Sequence, residues 1–97
     1  MEEEKKFKYR KYLPIGTVVL LKNAKKRMMI TGFVPVINKE GKDVKYDYCG
    51  VVYPEGMVSM KQILVFNHKQ IYKVYHMGLA KDEEEKNFKS KLVELNK

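Results

Sequence analysis

Two short aliphatic, β-branched runs held apart by a polar turn constrain this chain more than any other feature. They are Thr17-Val18-Val19-Leu20-Leu21 and Met28-Met29-Ile30-Thr31-Gly32-Phe33, with Lys22-Asn23-Ala24-Lys25-Lys26-Arg27 between them. Pro14 and Gly16 break the chain ahead of the first run, since proline fixes its φ and glycine admits angles other residues avoid. Runs this short and this rich in β-branched residues make strands rather than helices, so the pattern predicts a hairpin over residues 17–33. Gly32 inside the second run predicts a bulge or a sharp bend. A lone hairpin is barely stable in water, so later strands have to cover its apolar side.

The remaining chain supplies candidates in order. Val34-Pro35-Val36-Ile37 leads into a turn at Asn38-Lys39-Glu40-Gly41-Lys42, with Gly41 providing the permissive angle. Val44 to Tyr53 reads as a strand with Tyr46 and Tyr48 on one face and Asp47 and Cys49 on the other, because strand side chains alternate. Gly50 is placed to bend it, and Pro54-Glu55-Gly56 ends it as a turn. Gln62-Ile63-Leu64-Val65-Phe66 is the next strand, followed by Asn67 as the cap of a single 3₁₀ turn. Ile71 to Met77 then resumes β-favouring character, with a longer helix over 68–77 as the rival reading and Gly78 as the stop. A helix is predicted over 82–96, with Asp82 as N-cap and Glu85 three positions on as in a capping box. Phe88, Leu92 and Leu95 form its narrow apolar stripe.

These elements predict a mainly β fold with one C-terminal helix, a small five-stranded SH3-like barrel. An open α+β antiparallel sheet with the helix across one face is the alternative. Residues 1–11 read as a flexible basic and aromatic arm, and 12–97 as a single domain. The aromatics there, Phe7, Tyr9 and the adjoining Tyr12, would pack on the domain, add an edge strand or stack on bases.

Function is less constrained. No apolar run approaches the roughly 20 residues that span a bilayer, no secretory h-region is visible, and Cys49 has no partner for an internal disulfide. A cytoplasmic protein is the expectation. The net charge of +8 gathers in two clusters, Lys5, Lys6, Lys8, Arg10 and Lys11, then Lys22, Lys25, Lys26 and Arg27. The second cluster is the candidate anion site, to be weighed against an ordinary lysine-rich surface, and nucleic acid is its alternative partner. Tyr46, Tyr48, Tyr53, Tyr72 and Tyr75, with Phe88 and Leu92, are the candidate protein-binding residues, since aromatics with a polar tip suit interfaces. Cys49, His68 and His76 lack the paired spacing of a zinc site, and no phosphate-cradling glycine pattern is present. Asp47 reads as a solvent-facing acid or a turn cap. The expectation is therefore no catalytic residue, no cofactor and no metal.

Several segments resemble one family together. They are Tyr12-Leu13-Pro14-Ile15-Gly16-Thr17-Val18-Val19-Leu20-Leu21-Lys22, Arg27-Met28-Met29-Ile30-Thr31-Gly32, Tyr46-Asp47-Tyr48-Cys49-Gly50, Tyr53-Pro54-Glu55-Gly56, Phe66-Asn67-His68 and Asp82-Glu83-Glu84-Glu85 with Phe88. The chain resembles the domain-of-unknown-function family numbered 4176 over about residues 12–92. Its members are small proteins of Gram-positive bacteria, often encoded beside the type VII secretion apparatus and its LXG toxins. The resemblance implies an accessory or adaptor protein that binds a type VII effector or its small helical helper. An immunity-like role against a toxin fits the same context. The family brings no catalytic residues to transfer.

Overall fold

The computed structural model describes residues 10–95. In chain order the strands are β1 (Val18–Leu21), β2 (Arg27–Phe33), β3 (Val36–Lys39), β4 (Lys42–Lys45), β5 (Tyr48–Tyr53), β6 (Leu64–Phe66) and β7 (Ile71–His76). A 3₁₀ turn at Met60–Gln62 precedes β6, a second at His68–Gln70 precedes β7, and helix α1 spans Glu83–Leu95. The expected arm over 1–11 lies outside the described residues except for Arg10 and Lys11.

The predicted hairpin forms as β1 and β2, antiparallel, with Val18 opposite Met29 and Leu20 opposite Arg27. Its turn is closed by the Ala24 N–H donating to the Leu21 carbonyl at 3.1 Å, with Asn23 at φ 64°, an angle asparagine tolerates better than most side chains. The other strands pack outward from this pair, giving one five-stranded sheet in the order β6-β5-β2-β1-β7. All of its pairings are antiparallel. The β2–β5 register slips between Ile30 and Gly32, so Thr31 is the extra residue of a bulge where Gly32 predicted one. Gly50 has a different reason from the expected bend. It sits inside β5 opposite Ile30 and Leu64, and a Cβ there would lie 2.5 Å from the Met29 carbonyl oxygen. Only glycine allows strands that approach this closely.

The strand expected over 44–53 is divided at Tyr46 and Asp47. Between β2 and β5 the chain leaves the main sheet as the β3–β4 hairpin, a separate two-stranded sheet. Its two-residue turn places Glu40 at φ 51° and Gly41 at φ 84°, the geometry whose twist suits a tight hairpin. Bonds from Val34 N–H to the Asp47 carbonyl and from Tyr46 N–H to the Pro35 carbonyl, both 3.1 Å, close its base. The 3₁₀ turn after Asn67 and the strand after it are as predicted, and the rival helix over 68–77 is excluded by the ladder from β7 to β1.

The core lies on one side of the sheet: Tyr12, Leu13, Val19, Met28, Ile30, Tyr48, Phe66 and Ile71. Asp82 caps α1, its Oδ2 accepting the Glu85 N–H at 2.9 Å. The capping-box partner is used elsewhere: Glu85 Oε2 accepts the Ile15 N–H at 2.9 Å, and Lys89 Nζ donates to the Tyr12 carbonyl at 2.9 Å. The helix therefore docks through polar contacts as much as through its stripe. Phe88 meets Phe33 with ring centroids 6.3 Å apart, while Leu95 stands in solvent.

The fold is mainly β with one C-terminal helix, as expected. The hydrogen-bonded ladder ends at β6 on one side and β7 on the other, and no closed barrel is found among the described residues. No helix among them is long and apolar enough to cross a membrane.

Candidate functional site

The end of the sheet that carries the β1–β2 turn gathers residues far apart in sequence. Strand pairing sets Tyr53 opposite Arg27, Arg27 opposite Leu20, and Leu20 opposite Lys73, a row across β5, β2, β1 and β7. Directly opposed residues share a face. The Arg27 guanidinium carbon lies 5.1 Å from the Tyr53 ring centroid and 5.4 Å from that of Tyr75, and Lys73 Nζ lies 4.7 Å from the Tyr75 centroid. These distances are those of cation–π contacts. The Lys22 N–H donates to the Gln70 carbonyl at 2.8 Å, which brings the second 3₁₀ turn and its Lys69 beside the hairpin turn.

The predicted anion cluster of Lys22, Lys25, Lys26 and Arg27 is thus one part of a larger basic surface that also includes Lys69 and Lys73. Sequence reasoning missed those two lysines. The register of β7 on β1 brings them in, and no local pattern around them announces it. Tyr53, Tyr72 and Tyr75 from the predicted protein-binding set lie at the same end, all exposed. The acidic neighbour is Glu55, which accepts from Lys26 Nζ at 2.6 Å. That hydrogen bond, more than any other influence, holds the Glu55 carboxyl below its usual range, and Arg27 adds a smaller pull in the same direction. Lys26 is committed to Glu55, whereas Arg27 and Lys73 face rings.

The other predicted binding residues scatter. Tyr48 is fully buried and so cannot be part of a docking surface, a correction to its sequence reading. Its hydroxyl accepts the N–H groups of Tyr12 (2.9 Å) and Leu13 (3.0 Å) and lies 2.6 Å from His68 Nδ1. With both lone pairs engaged, the phenolic proton goes to His68 Nδ1, which assigns the imidazole proton to Nε2. Burial is the main cause that pushes the Tyr48 phenol up to about 12. Tyr46 is half-buried at the base of the β3–β4 hairpin, with Lys39 Nζ 5.3 Å from its ring centroid. Phe88 and Leu92 belong to α1, away from the row on the sheet.

Of the residues able to carry chemistry, Asp47 and His68 have structural duties. Asp47 takes the turn-capping role foreseen for it: Oδ2 accepts the His68 N–H at 2.8 Å, and Oδ1 pairs with Lys11 Nζ at 3.1 Å. Asn67 Oδ1 in turn accepts the Asp47 N–H at 3.0 Å. Cys49 is half-buried in β5, its sulfur 3.8 Å from Thr31 Oγ1. His76 ends β7 opposite Val18. No group of three or more His, Cys, Asp or Glu side chains placed to hold a metal occurs among the described residues. A cleft of about 1060 Å³ separates the segment Arg10 to Pro14 from Met77 and the first turns of α1. Charges of both signs line it, including Arg10, Lys86 and Glu83.

A family model described as a domain of unknown function, DUF4176, matches residues 12–88. No curated protein and no solved structure gives a significant match.

Proposed function

The chain belongs to the DUF4176 family, and from that membership and the surface just described we propose a non-enzymatic, protein-binding accessory domain. The observation that carries this reading is the tyrosine and cation row formed by Tyr53, Arg27, Tyr75 and Lys73 at one end of the sheet, with both tyrosines exposed. Interfaces favour tyrosine and arginine because each offers a rigid apolar body with a polar edge. The residues most able to do chemistry support the same reading, since Asp47 and His68 are tied into the fold. In keeping with the gene neighbourhood of such proteins, the partner is a type VII effector or its small helical helper, met in the cytoplasm. An SH3-like relationship is part of the proposal. It rests on the sheet order with β7 beside β1, and on the single 3₁₀ turn joining β6 to β7.

The test is co-expression and co-purification with the N-terminal domain of the toxin encoded next to it. Stable association that survives size-exclusion chromatography is the expected result. Two proteins that elute separately at every concentration tried would remove the adaptor reading. A second reading, nucleic-acid binding, draws on the same basic surface. It predicts a gel shift that weakens steeply with salt, because phosphate contacts release counterions. Changing Lys25, Lys26 and Arg27 together to Glu would abolish that shift.

A further inference from the structure

We propose that the end of the sheet around Arg27 and Lys73 is a carboxylate-reading site, and that its occupant is an acidic, extended segment of a partner protein. This rests on the protein-binding reading above and names the chemistry of the partner. Two cations, Arg27 at 5.4 Å and Lys73 at 4.7 Å, sit against the same Tyr75 ring. Each repels the other, and the acid beside them, Glu55, makes its hydrogen bond to Lys26 at 2.6 Å and feels only a smaller pull from Arg27. A carboxylate placed between the two cations removes that repulsion. The Arg27 guanidinium, 5.1 and 5.4 Å from the Tyr53 and Tyr75 centroids, is the group whose N–H fork matches a carboxylate in bidentate geometry.

The same packing argues against bases as the occupant. Stacking needs an open ring face, and a base would compete with the cations placed at the rings of Tyr53 and Tyr75. The extended form follows from β7. It is the last strand of the sheet, so its outer edge has no strand beside it among the described residues. Such an edge templates an added strand. Lys22, whose N–H donates to the Gln70 carbonyl, and Lys69, one residue before Gln70, extend the positive field along the start of that edge. Alternate residues of an added strand point the same way, so acidic residues at every second position would share the sheet face of Lys73 and of Tyr75, which Arg27 reaches from β2.

The experiment uses the full chain and a fluorescein-labelled peptide of alternating glutamate and valine, read by anisotropy. A length-matched peptide of alternating glutamine and valine and a labelled oligothymidine are the comparison probes. The glutamate peptide should bind and the glutamine peptide should not. Arg27→Gln and Lys73→Gln, each checked for a native circular dichroism spectrum, should each weaken binding about tenfold, the scale of losing one charge-assisted contact. Lys42→Gln, on the β3–β4 hairpin, should leave it unchanged. Equal binding of both peptides, or full affinity in both variants, overturns the proposal. So does oligothymidine binding more tightly than the acidic peptide with the same variant sensitivity, which would assign the surface to nucleic acid. If the toxin domain co-purifies with wild type and with the Arg27→Gln, Lys73→Gln double variant alike, the adaptor reading stands and this site falls.

Discussion

Tyr48 uses its hydroxyl three ways, and each use can be measured. Two buried N–H groups, those of Tyr12 and Leu13, depend on its oxygen, and its proton goes to His68. Tyr48→Phe keeps the ring stack on Phe66 but strands both donors. Leaving a buried donor unpaired costs roughly 1–3 kcal/mol, so the urea midpoint of this variant should fall by an amount equivalent to about 3 kcal/mol. The phenol also sets an alkaline limit. Its pKa rises from 10.0 to about 12 on folding, so the folded state holds the proton more tightly than the unfolded chain. That contribution is complete below pH 10, and is lost as pH rises through about 12. Urea titrations at rising pH should show this loss in wild type and a flatter alkaline profile in Tyr48→Phe. In the sequence Tyr48 stands in a run of tyrosines and polar residues like the candidate interface residues around it. What separates it from Tyr53 is its position between β2 and β6, which the local sequence does not state.

Helix α1 illustrates how an element predicted from local signals docks by other means. Asp82 and the acidic first turn announce its start, and the N-cap bond to Glu85 forms as expected. The face that meets the domain is set by Glu85 reaching Ile15 and Lys89 reaching Tyr12. Two predictions separate formation from docking. Asp82→Ala removes the cap and should cost about 1 kcal/mol, seen as faster amide exchange confined to the first turn of the helix. Glu85→Ala should instead raise exchange along the whole of α1 and at Ile15, with the five-stranded sheet unchanged. Equal effects of the two variants on every α1 amide would mean that capping and docking are not distinct. Apolar periodicity pointed to Phe88, Leu92 and Leu95, yet Leu95 is exposed, because a stripe records which residues could be buried and not which ones meet a surface.

At the scale of the whole molecule, the main sheet and the β3–β4 hairpin are separate pieces of β-structure joined at Val34, Pro35, Tyr46 and Asp47. The sheet keeps its own register from β2 directly to β5, and none of its core residues comes from the hairpin. Replacing residues 36–45 with a short glycine-containing turn should therefore leave a single cooperative melt, with a stability change of about 1 kcal/mol or less, since exposed excursions tolerate shortening. A broadened transition or loss of the β-sheet spectrum would show that the hairpin supports the core. The composition of this segment marked a turn over residues 38–42 and a strand beginning at Val44. It could not say that the segment leaves the main sheet.

From local chemistry alone the chain prescribed its first hairpin, the bulge at Gly32, the 3₁₀ turn after Asn67 and the capped C-terminal helix, because each follows from residues within a few positions of one another. The pairing of β7 onto β1, the burial of Tyr48, and the joining of Lys69 and Lys73 to the Lys22–Arg27 turn were settled only in three dimensions. Those outcomes depend on contacts between segments some fifty residues apart, where strand register decides which side chains meet and no short stretch of sequence carries that information.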